Sequence, residues 1–407
     1  LGRSFEANEF LRVAAVYRDP ESGDGPPAVN GRTGDSADNA PAMDGSALIV
    51  CDGFFATANA KTAHGLVRGT ERYEIVGVID APTAGRDAGE VLDGRPRGIP
   101  VFASIAEALA ALRRRPDFCV VGVATSGGRV TPGLRALLAE AIDAGLSIVN
   151  GLHELASEDP GLSRAAADRG VTITDVRKAP PRARLHFWSG AIRRVGAPRL
   201  AVLGTDCAVG KRTTARFLRD ACRAAGIRTE LIFTGQTGWM QGAPYGFIFD
   251  SIPNDFVSGE LEHAIVTCWE QARPELILLE GQSALRNPSG PCGSEFLLSG
   301  GARGVILQHA PGRVYFDGEE ELGLRIPSVE SEIALIGALG SSVVAVTLNG
   351  ENLSADALRA EQDRLSARLG FPVIRPLEEG VGALVPVVRR FLAEETSALN
   401  DRRETMP

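Results

Sequence analysis

The run "GTDCAVGKRTT" (residues 204–214) sets glycines, a lysine and hydroxyl side chains directly after the apolar stretch "RLAVL". An apolar strand, a glycine-bearing turn and a helix opening on a lysine together make an anion cradle. Backbone N–H groups of Gly204, Thr205, Asp206, Cys207, Ala208, Val209 and Gly210 meet the positive end of the helix dipole, and the Lys211 ammonium serves terminal phosphates. Five residues separate Gly204 from Gly210, one more than the usual spacing. The residue after the lysine is Arg212, where a nucleotide-hydrolysing loop carries the Ser or Thr that binds Mg²⁺. Thr213 and Thr214 follow one and two positions later, and a helical step of about 100° turns Thr213 away from that place. Phosphate binding is therefore expected, and Mg²⁺-dependent hydrolysis is placed in doubt. Arg212 could add a bidentate phosphate contact or lie as a solvated helix charge. A tight turn with an incidental lysine is the plain alternative.

Other chemistry-bearing residues fall at the ends of strand-like runs. Glu280 closes "ELILLEG", where an acid could hold Mg²⁺ through water or accept a proton. "FTGQTGWMQG" (233–242) places Gln236 and Thr237, with Trp239 and Gln241, among glycines. Asn349 in "TLNGENL" could read an adenine edge or be an ordinary Asn-Gly turn. In the first half, Lys61, Thr62 and His64 cluster in "KTAHG" at a helix start, where they could receive an anion or supply a base. "TSGG" (125–128) is a second candidate anion loop. His153 with Glu154, and Arg177 with Lys178, end two further strands. Asp80 sits where a dinucleotide-binding domain holds ribose, but "CDGFFATANAKTAHG" lacks the GxGxxG fingerprint, so ordinary NAD binding is not expected.

These residues need a scaffold. From 46 to 180, buried strands such as "ALIVCDGFF", "YEIVGVIDA" and "DFCVVGVATSGG" alternate with helical spacings such as "IAEALAALRRR" and "GLRALLAEAIDAG". From 199 to 395 the rhythm returns with "RLAVLG", "RTELIFTG", "ELILLEGQ", "GVILQHAP", "SVVAVTLNG" and "FPVIRP". Apolar strands alternating with helices mean parallel sheets covered on both faces. The expected fold is α/β with two doubly wound domains, 46–180 and 199–395, joined by a proline- and arginine-rich linker at 181–198. In such sheets strand C-termini form the ligand crevice. Residues 1–45, rich in Gly, Pro, Ser and Asp, are expected to be a disordered leader, with Met43 as a candidate natural start. Residues 396–407 are expected to fray.

The 407 residues, 44% apolar and 23% charged, describe an ordinary globular protein with ample core. A net charge of −8 argues against nucleic acid as a partner. No apolar run reaches the roughly 18–20 residues that span a bilayer. Six scattered cysteines without a CxxC pair argue against a disulfide framework or a zinc site and fit a reducing cytoplasm. No residues are assigned to a resident metal.

The loop "GTDxxVGK" and the run "LLEG" resemble dethiobiotin synthetases and their relatives among P-loop proteins. Taken together, "KTAHGLVR", "VGVIDAPTAGRDAGE", "GLHE", "DVRK", "GTDCAVGKRTTA", "TGQTGWM", "LLEGQ" and "LNGENL" resemble the DUF1611 family over roughly residues 46–395. The resemblance implies a Rossmann-like domain followed by a P-loop NTPase-like domain. It also implies that the "GKRTT" loop is a form the family uses. Some members are N-acetyltransferases that act on D-glutamate or other D-amino acids with acetyl-CoA. A homodimer or higher homo-oligomer is expected by family habit.

On this reading the phosphate loop grips the phosphates of acetyl-CoA without hydrolysing anything. Glu280, His64 or His153 is the base that deprotonates the amine. Loop N–H groups receive the oxyanion, and Lys61, Arg177 or Lys178 pairs the substrate carboxylates, with Thr62, Gln236 and Thr237 beside them. The alternative is an ATP- and Mg²⁺-dependent ligase or kinase, with Lys211 as the activating residue and Asp206 or Thr213 compensating for Arg212. A third reading is a non-catalytic nucleotide- or CoA-sensing module.

Overall fold

Apolar runs bounded by glycine and proline become parallel strands in both halves. The computed structural model describes residues 43–404. The strands of the first half are β1 (Gly45–Val50), β2 (Tyr73–Ile79), β3 (Val101–Phe102), β4 (Phe118–Val121), β5 (Ser147–Asn150) and β6 (Ile173–Asp175). They form one sheet in the order β3-β2-β1-β4-β5-β6, and all pairs are parallel. The order reverses between β1 and β4, so a crevice opens there at the strand C-termini. Local chemistry sets the helix starts. Ser104 caps Glu107 N–H, Thr131 caps Leu134 N–H ahead of Pro132, and Asp159 caps Gly161 and Leu162 N–H ahead of Pro160.

The second half supplies β7 (Arg199–Gly204), β8 (Thr229–Phe233), β9 (Tyr245–Gly246), β10 (Leu276–Glu280), β11 (Gly304–His309), β12 (Ser342–Leu348) and β13 (Val373–Ile374). This sheet is also parallel, in the order β13-β12-β11-β7-β10-β8-β9. β7, which feeds the loop at 205–210, is therefore central, with Glu280 at the end of its neighbour β10. The fold is α/β, Rossmann-like and then P-loop-like, with both sheets in one compact unit.

The cores cross the boundary between the halves. Phe233, Met240, Ala243 and Ile248 of the second half join the hydrophobic cluster built on β1, β2, β4 and β5. The linker at 181–198 contains two short 3-10 turns, Arg182–Arg184 and Ala191–Arg194. The leader as far as residue 42 lies outside the described residues, and Gly45 already belongs to β1. Of the tail expected to fray, residues 396–404 belong to the helix Leu384–Glu404, and residues 405–407 lie outside the described residues. No helix among the described residues is long and apolar enough to cross a membrane.

Candidate active site

The loop after β7 is built as an anion cradle. Gly210 has φ of 108° and Ala208 φ of 52°, left-handed values that curl the chain around a central space. The helix Lys211–Ala224 starts at Gly210, which offers no side-chain cap, so first-turn N–H groups lack both an intrahelical and a capping partner. Their dipole favours an anion. The loop is braced from outside. Asn349 Nδ2 donates to Val209 O at 3.0 Å and its Oδ1 accepts from Glu351 N–H at 3.0 Å, so Asn349 supports the loop wall through both ends of its amide. Thr205 N–H donates to Gln308 O at 3.0 Å, and its hydroxyl pairs with His309 Nδ1 at 2.9 Å. Thr214 donates to Gln308 Oε1 at 2.6 Å and so faces the sheet. The Thr213 hydroxyl makes no hydrogen bond among the described residues.

The charged groups of the loop all have partners. Asp206 is fully buried. Its carboxylate accepts from Cys207 N–H (2.7 Å), Asn287 Nδ2 (3.2 Å), Asp317 N–H (2.9 Å) and the Arg313 guanidinium (3.0 Å). Cys207 Sγ lies 3.4 Å from Ser283 Oγ. Lys211 Nζ donates to Asp206 O at 2.6 Å and Ser283 O at 2.7 Å, and burial lowers its pKa. Arg212 donates to Glu280 Oε1 at 2.5 Å and to Gln241 Oε1 at 3.3 Å. Glu280 is buried, and Thr234 N–H reaches its other oxygen at 3.3 Å. Burial raises the Glu280 pKa, while Arg212 and the Thr234 N–H pull it down. In this pairing a guanidinium stands where hydrolysing loops place the hydroxyl and acid that share a metal.

Gln241 carries the arrangement into the first domain. Its Nε2 donates to Gly65 O at 2.8 Å and Gly69 O at 2.9 Å, capping the helix Lys61–Arg68. Arg216 and Arg219, on the same helix as Lys211, pair with Glu71 at 3.0 and 2.8 Å. The two expected contact residues Thr62 and Thr237 meet, their hydroxyls 3.1 Å apart. A side chain at Gly65 would lie 2.9 Å from Thr237 Cγ2, so glycine allows this approach without a shift of the partner. Gln236 packs against Gly151 at the end of β5.

A second cluster lies at the ends of β5 and β6. Arg177 donates to Asp250 at 2.8 Å and also to Gly151 O. His153 Nε2 is 3.9 Å from the same Asp250 carboxylate. Burial lowers the His153 pKa first, then the neighbouring Arg177 cation; Asp250 opposes and Lys61 adds slightly. The imidazole is therefore biased toward its neutral form. A cavity of about 610 Å³ opens beside it, lined also by Arg135, Glu154 and Asp159. Lys61 and Lys178 are exposed.

His64 stands apart. Its Nε2 donates to Phe55 O at 2.7 Å, and its ring packs edge-on to Phe55, 5.6 Å between centroids. All these partners belong to the first domain. Asp80 likewise has its oxygens on Phe55 N–H (3.1 Å) and the Thr83 hydroxyl (2.6 Å). Asp250, Arg313, Asn287 and Gln308 carry parts of the site that no motif announced. Only Gln308 had a signal, its place at a strand end.

The chain matches two protein-domain descriptions: the DUF1611 N-terminal Rossmann-like domain of unknown function over residues 81–179, and its C-terminal P-loop domain over residues 186–385. A protein from Tritonibacter scottomollicae named D-glutamate N-acetyltransferase is 30% identical over 276 residues, 65% of this chain and 79% of the relative. One of the same name from a Pseudoalteromonas species is 30% identical over 277 residues, with the same coverage. The crystal structure of a DUF1611 family protein from Anabaena variabilis superimposes with a TM-score of 0.76 at 28% identity, covering 85% of this chain and 99% of that one. By both of its domains and by a structural likeness over most of its length, the chain belongs to the DUF1611 family.

Proposed function

We propose that the protein transfers an acetyl group from acetyl-CoA to the amine of D-glutamate or a related D-amino acid. N-acetyltransferase chemistry is supported at family level by the two relatives of that name. The observation that carries the mechanism is the Arg212–Glu280 pair at 2.5 Å. It presents a cation beside an anion cradle and ties up the strand-end acid that would otherwise help hold Mg²⁺, an arrangement suited to holding phosphate rather than cleaving it. Acetyl-CoA offers a pyrophosphate and a 3′-phosphate, which the loop N–H groups, Lys211 and Arg212 would hold. Its thioester supplies the activated acyl group.

The chain's own residues supply the rest. Glu280 is buried, with burial raising its pKa, and becomes a proton acceptor when Arg212 turns to phosphate. His153, biased neutral beside a cavity, is the second base candidate. Lys61, exposed and close enough to His153 to act on its charge, and the exposed Lys178 are the candidates to pair carboxylates. Asp250, held by Arg177, positions His153. The protein is expected to work in the cytoplasm.

The test is the purified chain with D-glutamate and acetyl-CoA, following free thiol with and without ATP and Mg²⁺. Thiol release without ATP, lost in Lys211→Ala, is expected. ADP formation with no thiol release would replace this reading with an ATP-dependent one.

A further inference from the structure

Large exposed apolar side chains of the second half, Leu377 apart, gather in two places of opposite charge. At the linker, Phe187 is 67%, Trp188 43% and the neighbouring Leu298 61% exposed. Trp188 Nε1 donates to Ser299 O at 3.3 Å, and the Phe187 ring lies 4.5 Å from that of Phe256, so the three adjoin. Arg182, Arg184, Arg193 and Arg194 flank them, exposed and in no ion pair among the described residues. The segment is held firmly. His186 stacks on His263 at 3.8 Å and pairs with Glu260 at 2.8 Å.

The second place is a hairpin at 314–326, closed by Phe316 N–H to Leu324 O at 2.9 Å and Ile326 N–H to Val314 O at 3.0 Å. It exposes 70% of Leu322 and 46% of Val314. Glu319, Glu320 and Glu321 lie between them, in no ion pair among the described residues, while Asp317 faces the Arg313 charge. One surface thus offers arginines around exposed aromatics, and the other offers carboxylates around an exposed leucine. Unpaired like charges crowded on either surface alone repel one another, and an opposite partner relieves both.

We propose that the acidic hairpin of one copy docks on the basic aromatic linker of a second copy. Two-fold symmetry makes each contact twice and leaves neither patch open to further chain growth. Docking removes the apolar side chains from water, while the charges set orientation and encounter rate. It also reaches the phosphate loop. The hairpin's Asp317 N–H and the adjoining Arg313 both hold Asp206, and Arg313 also donates to Cys207 O at 2.9 Å. A docked hairpin therefore fixes one wall of that loop.

Sedimentation of the full chain over a range of concentrations tests this. A dimer is expected, weakened by salt. Glu320→Lys with Glu321→Lys, and separately Arg182→Glu with Arg184→Glu, should each raise the dissociation constant by at least about tenfold. A chain carrying all four reversals regains complementarity and should return to within about threefold of the original. Circular dichroism of these surface variants should be unchanged. A monomer at every concentration, with these surfaces left to another macromolecule, overturns the proposal. So does a dimer insensitive to both pairs of reversals, or one that the fourfold variant does not restore.

Discussion

The guanidinium of Arg212, first-turn residue of the phosphate-loop helix, meets the carboxylate of Glu280 at the end of the neighbouring strand, 2.5 Å away and largely out of water. Removing one partner of a buried ion pair strands the other. Arg212→Ala is expected to cost about 3–5 kcal/mol of stability, whereas Arg212→Met with Glu280→Leu should recover most of it. Urea unfolding of both variants measures this. Equal losses in the two would mean that a stranded charge is not the source of the loss.

Glu280→Gln keeps the shape of the side chain and one of its two acceptor oxygens, and removes its ability to accept a proton. With Glu280 as base, kcat should fall by about 10²–10⁴-fold while the KM for acetyl-CoA changes little. An unchanged kcat, together with a comparable fall in His153→Gln, would move the base to the His153 cluster.

Gly65→Ala would put a methyl group 2.9 Å from Thr237 Cγ2, where the helix Lys61–Arg68 meets the second domain. Overpacking of this kind costs about 1–3 kcal/mol. Adding Thr237→Ser deletes the opposing methyl and should restore most of the loss. Thermal melts of the single and double variants decide whether the clash, rather than helix propensity, sets the effect.

His309 holds Thr205 from beneath the loop, and burial lowers its pKa from 6.5 to about 4. The unfolded chain takes up this proton first as pH falls. Stability from this group is therefore complete above about pH 6.5 and is lost progressively down to about pH 4, by about 3 kcal/mol in all. His309→Gln should flatten that slope. A pH-stability curve parallel to the original would show that His309 does not titrate in this way.

Both sheets, their order of appearance and the phosphate loop could be read from the chain because each depends on a local pattern of apolar strands, glycine turns and helix starts. The strand-end rule also placed Gln236, Thr237, His153 and Arg177 on the crevice side, and the helix-start reading of "KTAHG" placed Thr62 there. What pairing each would find could not be read. Arg212 and Glu280 are 68 residues apart, and Asp250, the acid that gathers Arg177 and His153, lies in no motif. "GQTGWMQG" reads as a loop by its glycines, yet Gln236–Met240 is a buried helical turn against the first domain. His64 was grouped with Thr62 by proximity in sequence. Two residues along a helix turn it by about 200°, so with Thr62 facing the second domain His64 faces the first.

The hydrophobic cluster under the first sheet is completed by Phe233, Met240, Ala243 and Ile248, and the end of its helix Lys61–Arg68 is capped by Gln241. A chain made from its N-terminus has all six strands of that sheet well before it has these residues. The first domain must therefore wait, unfinished on the ribosome, until residue 248 has emerged, and severing the chain at the linker would deprive it of part of its own interior.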